Sequence, residues 1–349
     1  MEELRSPEYM LFCDSDSQVM GSRDYGSENS NNSEQEYFLL HRTHIHQSLK
    51  DAVLSEEGPG SPAELHLACR IVALNTEKAT LPLEDGRQFS GDLIVGADGV
   101  HSWTRSSIDA TTKPFHFGAS CYRWLAPDED LAKHEATLEL SKKKDKMVEW
   151  SSGPRRILYY PCADHTISNF GGFIPGAGKK GDHTAASDWN NQGSKDDLME
   201  MYQDFGPEVQ QILRGVPESE LKLWDLMDMS SLPTWHKDCL VLTGDAAHPF
   251  LPFMGQGCAM AIEDAAALGA LLPLGTTTAQ VYARLNLWET CRRERVELIQ
   301  NFTRRNGQSP DDPTTPRPSY DESMKYVAYC INHDASENAA KALSEQAEA

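Results

Sequence analysis

An aspartate that ends an apolar strand, followed by two glycines that open an Ala-rich helix, is the chemically loaded stretch of this chain. It runs Leu240-Val241-Leu242-Thr243-Gly244-Asp245-Ala246-Ala247-His248-Pro249 and continues through Pro252-Phe253-Met254-Gly255-Gln256-Gly257 into 258–272. Cys239–Thr243 is apolar and β-branched, the pattern of a buried strand. It stops at Gly244-Asp245 and so places a carboxylate at the strand's carboxyl end, where open α/β sheets bind ligands. Gly255 and Gly257 then leave a helix mouth without bulky side chains. Bare N–H groups and the positive end of a helix dipole suit a flat ligand with delocalised negative charge. Asp245 suits the hydroxyl of a sugar-like chain.

A second strand end of the same kind lies upstream, in Asp92-Leu93-Ile94-Val95-Gly96-Ala97-Asp98-Gly99-Val100-His101-Ser102 with Arg105. Leu93–Val95 reads as a buried strand, Gly96 and Ala97 permit close packing, and Asp98-Gly99 turns sharply into a helix start. Ser102 suits a cap there and Arg105 a charge that holds the turn in shape. Before it, 65–74 and 78–83 read as paired strands and 84–87 as a turn. Residues 41–53 read as a helix with Ile45, Leu49, Ala52 and Val53 on one face. His41, His44 and His46 lie on it at spacings that could share a metal ion, but no carboxylate or thiol stands in register, so no metal is expected.

Taken together, Gly244-Asp245-Ala246-Ala247-His248-Pro249, Pro252, Gly255-Gln256-Gly257 and Glu263-Asp264 resemble the second FAD motif of the single-component flavin aromatic hydroxylases, in their salicylate-hydroxylase-like fungal branch. Asp98-Gly99 resembles the other fingerprint of that family, associated with FAD and the nicotinamide donor. The resemblance implies that Asp245, beside Gly244, holds the ribityl chain. Pro252, Gly255, Gln256 and Gly257 receive the pyrimidine end of the isoalloxazine. Arg42, in a helix like the family's His-Arg-x-x-Leu helix, reaches toward the FAD diphosphate, which a planar guanidinium fork suits. His248 belongs to the FAD motif and is expected to pack and hydrogen-bond rather than act as a base.

Family members begin with a strand, a Gly-x-Gly-x-x-Gly turn and a helix, a unit of ~30 residues. Nothing in 1–36 matches it, and the resemblance begins at Tyr37, part-way through the first domain; a shortened gene model and a true loss of the cradle are both open. Residues 15–36, rich in Ser, Asn, Gly and acid, are expected to be disordered. Gly176-Ala177-Gly178-Lys179-Lys180-Gly181 has the glycine spacing but no following apolar helix, and reads as a surface loop.

The expected fold is mixed α/β, a Rossmann-like FAD-binding domain lacking its first unit, split as 37–114 and 236–305. An antiparallel-sheet substrate domain is inserted at 115–235, with strands over 115–125, 135–140, 147–150, 156–162 and 166–174. Helices are expected over 196–205, 207–214 and 282–305, with Arg292, Arg293 and Arg295 pairing structurally with acids such as Glu263. Residues 306–349 read as a Pro-marked linker and a terminal helix. On the inserted sheet, alternation turns Arg123 away from Tyr122 and Trp124; Arg123 resembles a position that contacts acidic or phenolate substrates, with Tyr160 and Phe253 as further substrate candidates.

The net charge of −21, from 32 Lys+Arg against 53 Asp+Glu, opposes nucleic acid and anionic membranes as partners. Eight cysteines without a C-x-x-C pair suit a reducing, cytoplasmic location. The implied activity is a monooxygenase. FAD reduced by NADH or NADPH reacts with O2 to a C4a-hydroperoxide, which hydroxylates a phenolic acid or aromatic polyketide in secondary metabolism. No catalytic base is identified. The competing reading is an inactive flavin-fold relic that does not hold FAD; an NAD-dependent dehydrogenase is disfavoured by the missing glycine turn.

Overall fold

A computed structural model describes residues 9–24, 38–57, 60–143, 146–176, 191–308 and 315–348. In chain order, β1 (Tyr9–Cys13) and β2 (Val19–Asp24) precede α1 (Arg42–Leu54), β3 (Thr80–Pro82), β4 (Gln88–Ser90) and β5 (Ile94–Gly96). Next come β6 (Phe115–Pro127), two short helices α2 (Asp128–Leu131) and α3 (Leu138–Ser141), β7 (Lys146–Ser152), β8 (Arg155–Cys162) and β9 (Ile167–Pro175). The helices α4 (Lys195–Met201) and α5 (Pro207–Arg214) lead to β10 (Lys222–Asp228), β11 (His236–Lys237) and β12 (Leu240–Leu242). Four helices end the chain: α6 (Gln256–Leu271), α7 (Thr278–Gly307), α8 (Tyr320–Ile331) and α9 (Ala335–Glu348).

The chain divides into two compact units, residues 1–65, 118–226 and 309–311, and residues 66–117, 227–308 and 312–349. The first is built on a seven-stranded sheet in the order β10-β6-β9-β8-β7-β1-β2. Its core lies on one face, where Tyr122, Trp124, Trp150, Tyr159 and Phe170 pack with Leu198 of α4, Tyr202 just beyond it, and Val209 and Leu213 of α5. Trp124 and Phe170 stack with ring centres 5.1 Å apart. The alternation expected of β6 holds: Tyr122 and Trp124 are buried, and Arg123 takes the opposite face.

Two expectations fail in this unit. Residues 15–24, part of the stretch expected to be disordered, are ordered: β2 closes a hairpin on β1, and β1 pairs in parallel with β7. The polar composition misleads because a short hairpin needs few apolar residues once its backbone groups find partners in an existing sheet. Residues 135–141 are helical, not a strand. The helix expected over 41–53 is present as α1, with Leu49 and Val53 more than half exposed. Of the glycine-spaced string only Gly176 is described, and its N–H donates to the Gly118 carbonyl at 2.7 Å; 177–181 lie outside the described residues.

The second unit holds a three-stranded sheet, β11-β12-β5. Val241 and Leu242 pack beneath α6, which is itself packed by Leu285, Trp288, Val296 and Ile299 of α7 and by Ala335 and Ala339 of α9. Thus 335–348 is a packed helix rather than a trailing end, and its small residues let it approach α6 closely. Residues 320–331 form α8 where a linker was expected. Residues 65–74 form no strand; β3 pairs instead with β4 across the 84–87 turn, leaving 65–74 only isolated bridges such as Ile71 to Leu83. A methyl group on Gly96 would overlap Thr104 Oγ1 and lie 2.8 Å from Leu242 Cδ2. Gly96→Ala is therefore expected to cost about 1–3 kcal/mol; an unchanged thermal midpoint would contradict this packing.

Candidate functional site

Strands β5 and β12 run parallel and adjacent, with Ile94 opposite Leu240, Val95 opposite Val241 and Gly96 opposite Leu242. Both chains therefore leave the sheet at the same end, Ala97-Asp98-Gly99 beside Thr243-Gly244-Asp245, and the Thr243 N–H donates to Gly96 at 3.0 Å. Two stretches about 140 residues apart, each acidic and glycine-bearing, meet at one sheet edge, where α/β folds bind ligands.

Arg105 joins them. The residue is 3% exposed, and its guanidinium donates to the carbonyls of Ala246 (2.8 Å), Asp245 (2.9 Å) and Val100 (2.8 Å). The Ser102 hydroxyl caps the following turn by accepting from the Arg105 N–H at 2.9 Å. Asp98 serves this turn from within. Its carboxylate accepts from Ser102 Oγ (2.6 Å), Thr104 Oγ1 (2.7 Å) and the N–H groups of Trp103 (2.8 Å) and Thr104 (2.9 Å). Burial alone raises its pKa, but these donors outweigh it and hold the carboxyl below the ordinary range. In this structure Asp98 thus shapes the turn that carries Gly99 beside the second strand end. Gly99, at φ +80° with open space around its α-carbon, permits the turn.

Gly244 is also left-handed, at φ +55°, and its N–H donates to Asp264 Oδ2 at 2.9 Å. His248 Nε2 shares that oxygen at 2.7 Å, and Arg292 Nε donates to Oδ1 at 2.9 Å. A carboxylate only accepts, so His248 must donate from Nε2. With the ring 3% exposed beside Trp235 and Phe250, His248 is a packing and bonding residue. Arg292 and Arg295 both reach Glu263, at 2.6 and 2.7 Å, the structural pairing expected of them. Asp264 is the residue whose part was not read from sequence; its only signal was its place in the Glu263-Asp264 pair.

Pro252–Met254 forms one tight turn, Gly255 follows at φ +65° as the N-cap, and α6 begins without a side-chain cap. The first N–H groups of a 16-residue helix are thus left to a ligand. Gly257 keeps the mouth low: a Cβ there would touch Phe250 at 3.4 Å. Gln256 contributes through its main chain, because its side chain is buried and turns back toward the Met254 carbonyl at 3.3 Å. Gly244, Asp245, Gly255 and Gly257 fit the ribityl and pyrimidine parts of a flavin: a partly exposed carboxylate at a strand end and an uncapped helix start.

The remaining expected residues lie in the first unit, apart from Phe253. Arg42 is exposed at the start of α1. Arg123 and Tyr160 do come together. The Arg123 guanidinium donates to Asn169 Oδ1 at 2.9 Å, lies near Tyr160 and is 5.9 Å from the centre of the Trp224 ring. Asn169 stands directly opposite Tyr160 in the β8–β9 register, a pairing invisible until that register is known. Among the described residues no group of three His, Cys, Asp or Glu is arranged to hold a metal ion, and no helix is long and apolar enough to cross a membrane.

Residues 43–304 match the family model described as FAD binding domain. The chain is 32% identical over 273 residues to an FAD-dependent monooxygenase of Aspergillus candidus, an alignment covering 76% of this chain and 62% of that protein. It is 32% identical over 277 residues to hispidin-3-hydroxylase of Neonothopanus nambi, covering 75% and 64%. The chain thus spans less than two thirds of either relative. Among solved structures, a salicylate hydroxylase substrate complex superposes with a TM-score of 0.77 at 21% identity, over 97% of this chain and 84% of that one.

Proposed function

Because this chain belongs to the FAD binding domain family of flavin-dependent monooxygenases, we propose that it hydroxylates an electron-rich aromatic compound using FAD, O2 and NADH or NADPH. The observation that carries this reading is the pair of parallel strand ends bolted together by Arg105, with the uncapped start of α6 following the second of them. The names of two relatives, hispidin-3-hydroxylase and 3-amino-4-hydroxybenzoate 2-monooxygenase, favour a phenolic substrate. The eight free cysteines suit a cytoplasmic setting.

When bound, the flavin supplies the redox chemistry that activates O2 and delivers one oxygen atom to the ring. The protein's share is binding, orientation and exclusion of water. Asp245 accepts from ribityl hydroxyls, and the N–H groups at Gly255–Gly257 support negative charge at the pyrimidine end. Phe250, Leu251 and Phe253 form an apolar wall that keeps water out. Arg123, braced by Asn169, attracts a phenolate or carboxylate on the substrate.

The test is a titration of the purified chain with FAD. Quenched flavin fluorescence and perturbed flavin absorbance are expected, followed by a further spectral change on adding salicylate. A colourless protein indifferent to FAD would favour the relic.

A further inference from the structure

The far end of α7 meets the turn that opens α6. Asn306 Nδ2 donates to the Phe253 carbonyl at 3.0 Å and lies 3.2 Å from Met254 Sδ. Gly307, the last residue of α7, has no side chain, and the space where one would stand is already filled. A Cβ there would overlap Phe253 Cε2 and lie 2.6 Å from Phe253 Cδ2 and 3.0 Å from Phe117 Cε1. The two phenyl rings sit 6.0 Å apart, tilted by 54°. Gly307 is not among the positive-φ residues, so its backbone would accept any side chain; only the rings forbid one.

Phe253 is in turn tied to the helix mouth. It is the middle residue of Pro252–Met254, and the Gly255 N–H donates back to Pro252 at 3.2 Å. A ring pushed off the end of α7 carries this turn with it and shifts Gly255, the N-cap whose neighbours present the free N–H groups. We propose that Gly307 is a positioning residue for the flavin site: its missing side chain seats Phe253, and Phe253 sets where the mouth of α6 stands. The inference rests on the functional reading above and adds a residue about 50 positions away from the motif it governs.

Gly269, inside α6, provides the control. A Cβ there meets nothing within 4 Å, so Gly269→Ala gains helix propensity without a clash and should raise the thermal midpoint. Gly307→Ala, at the last residue of α7, gains less of that propensity but loses none, so a fall in midpoint points to the rings. The experiment compares the full chain with Gly269→Ala, Gly307→Ala, Phe253→Leu and the Gly307→Ala/Phe253→Leu double variant. It measures thermal midpoints and the FAD dissociation constant by quenching of flavin fluorescence.

Gly307→Ala is expected to lower the midpoint and weaken FAD binding about tenfold, in protein that still unfolds cooperatively. Phe253→Leu removes the obstructing ring, so the double variant should bind FAD within about twofold of Phe253→Leu alone. A role confined to packing would lower the midpoint without moving the FAD constant of folded protein. The inference is overturned if Gly307→Ala behaves like Gly269→Ala, if only the midpoint moves, or if the two losses add in the double variant. Failure of the unsubstituted chain to bind FAD is a different outcome: it overturns the functional reading, and this inference with it.

Discussion

Asp264→Asn is expected to destabilise the second unit by about 3–5 kcal/mol, the largest loss from any single polar substitution in the site. The carboxylate is fully buried and accepts at both oxygens, from Arg292 Nε at one and from Gly244 N–H and His248 Nε2 at the other. An amide accepts at one end only. Turned one way its NH2 faces the Gly244 N–H; turned the other it faces Arg292 Nε. Neither can accept, and Arg292 loses a buried counter-charge. Chemical denaturation of the two proteins measures the difference, and equal midpoints would refute it.

The pH dependence follows from the same contacts. Burial pushes the Asp264 pKa up, but His248 and Arg292 outweigh it and hold the group below its ordinary value. A carboxyl depressed in the folded state stabilises fully above its unfolded pKa of about 4 and loses that contribution as pH falls through the lower folded value. Acid titration of stability should therefore be shallower in Asp264→Asn than in the unsubstituted chain below about pH 4.

Arg105→Ala is expected to raise the FAD dissociation constant on the order of a hundredfold, equivalent to about 2.7 kcal/mol, in protein that keeps its circular dichroism. The guanidinium satisfies the carbonyls of Val100, Asp245 and Ala246, so its loss removes the shared donor that fixes one loop against the other. Charged hydrogen bonds of this kind contribute about 1.5–3 kcal/mol each. Arg105→Lys should recover only part of the affinity, since one ammonium cannot reproduce a planar fork aimed at several carbonyls. Equal FAD affinity for Arg105→Ala and the parent would show that the two loops hold their places without it.

Where a short stretch decides its own conformation, sequence reading located it. The strand at Leu240–Leu242, the helix after Gly255, the turn at Asp98-Gly99 and the facing of Arg123 away from Tyr122 and Trp124 all come from local period, glycine placement and apolar runs. The same reading failed where a partner from elsewhere made the choice. Residues 15–24 look too polar to order but include β2, which gains strand bonds from β1, and 65–74 looks like a strand but finds no ladder. The contacts that Ser102 and Thr104 make to Asp98 were likewise invisible until the turn was seen folded.

What the amino-acid order alone determined, then, was the pair of glycine-acid strand ends, the helix mouth after the second, and the family they resemble. Only the tertiary structure decided that these ends are neighbours in one parallel register, that Arg105 and Asp264 hold them, and that Gly307 yields its side-chain space to Phe253. The reason is physical: periodicity and turn chemistry act over a few residues, whereas hydrogen-bond partners, burial and steric exclusion are settled between segments that meet only after folding.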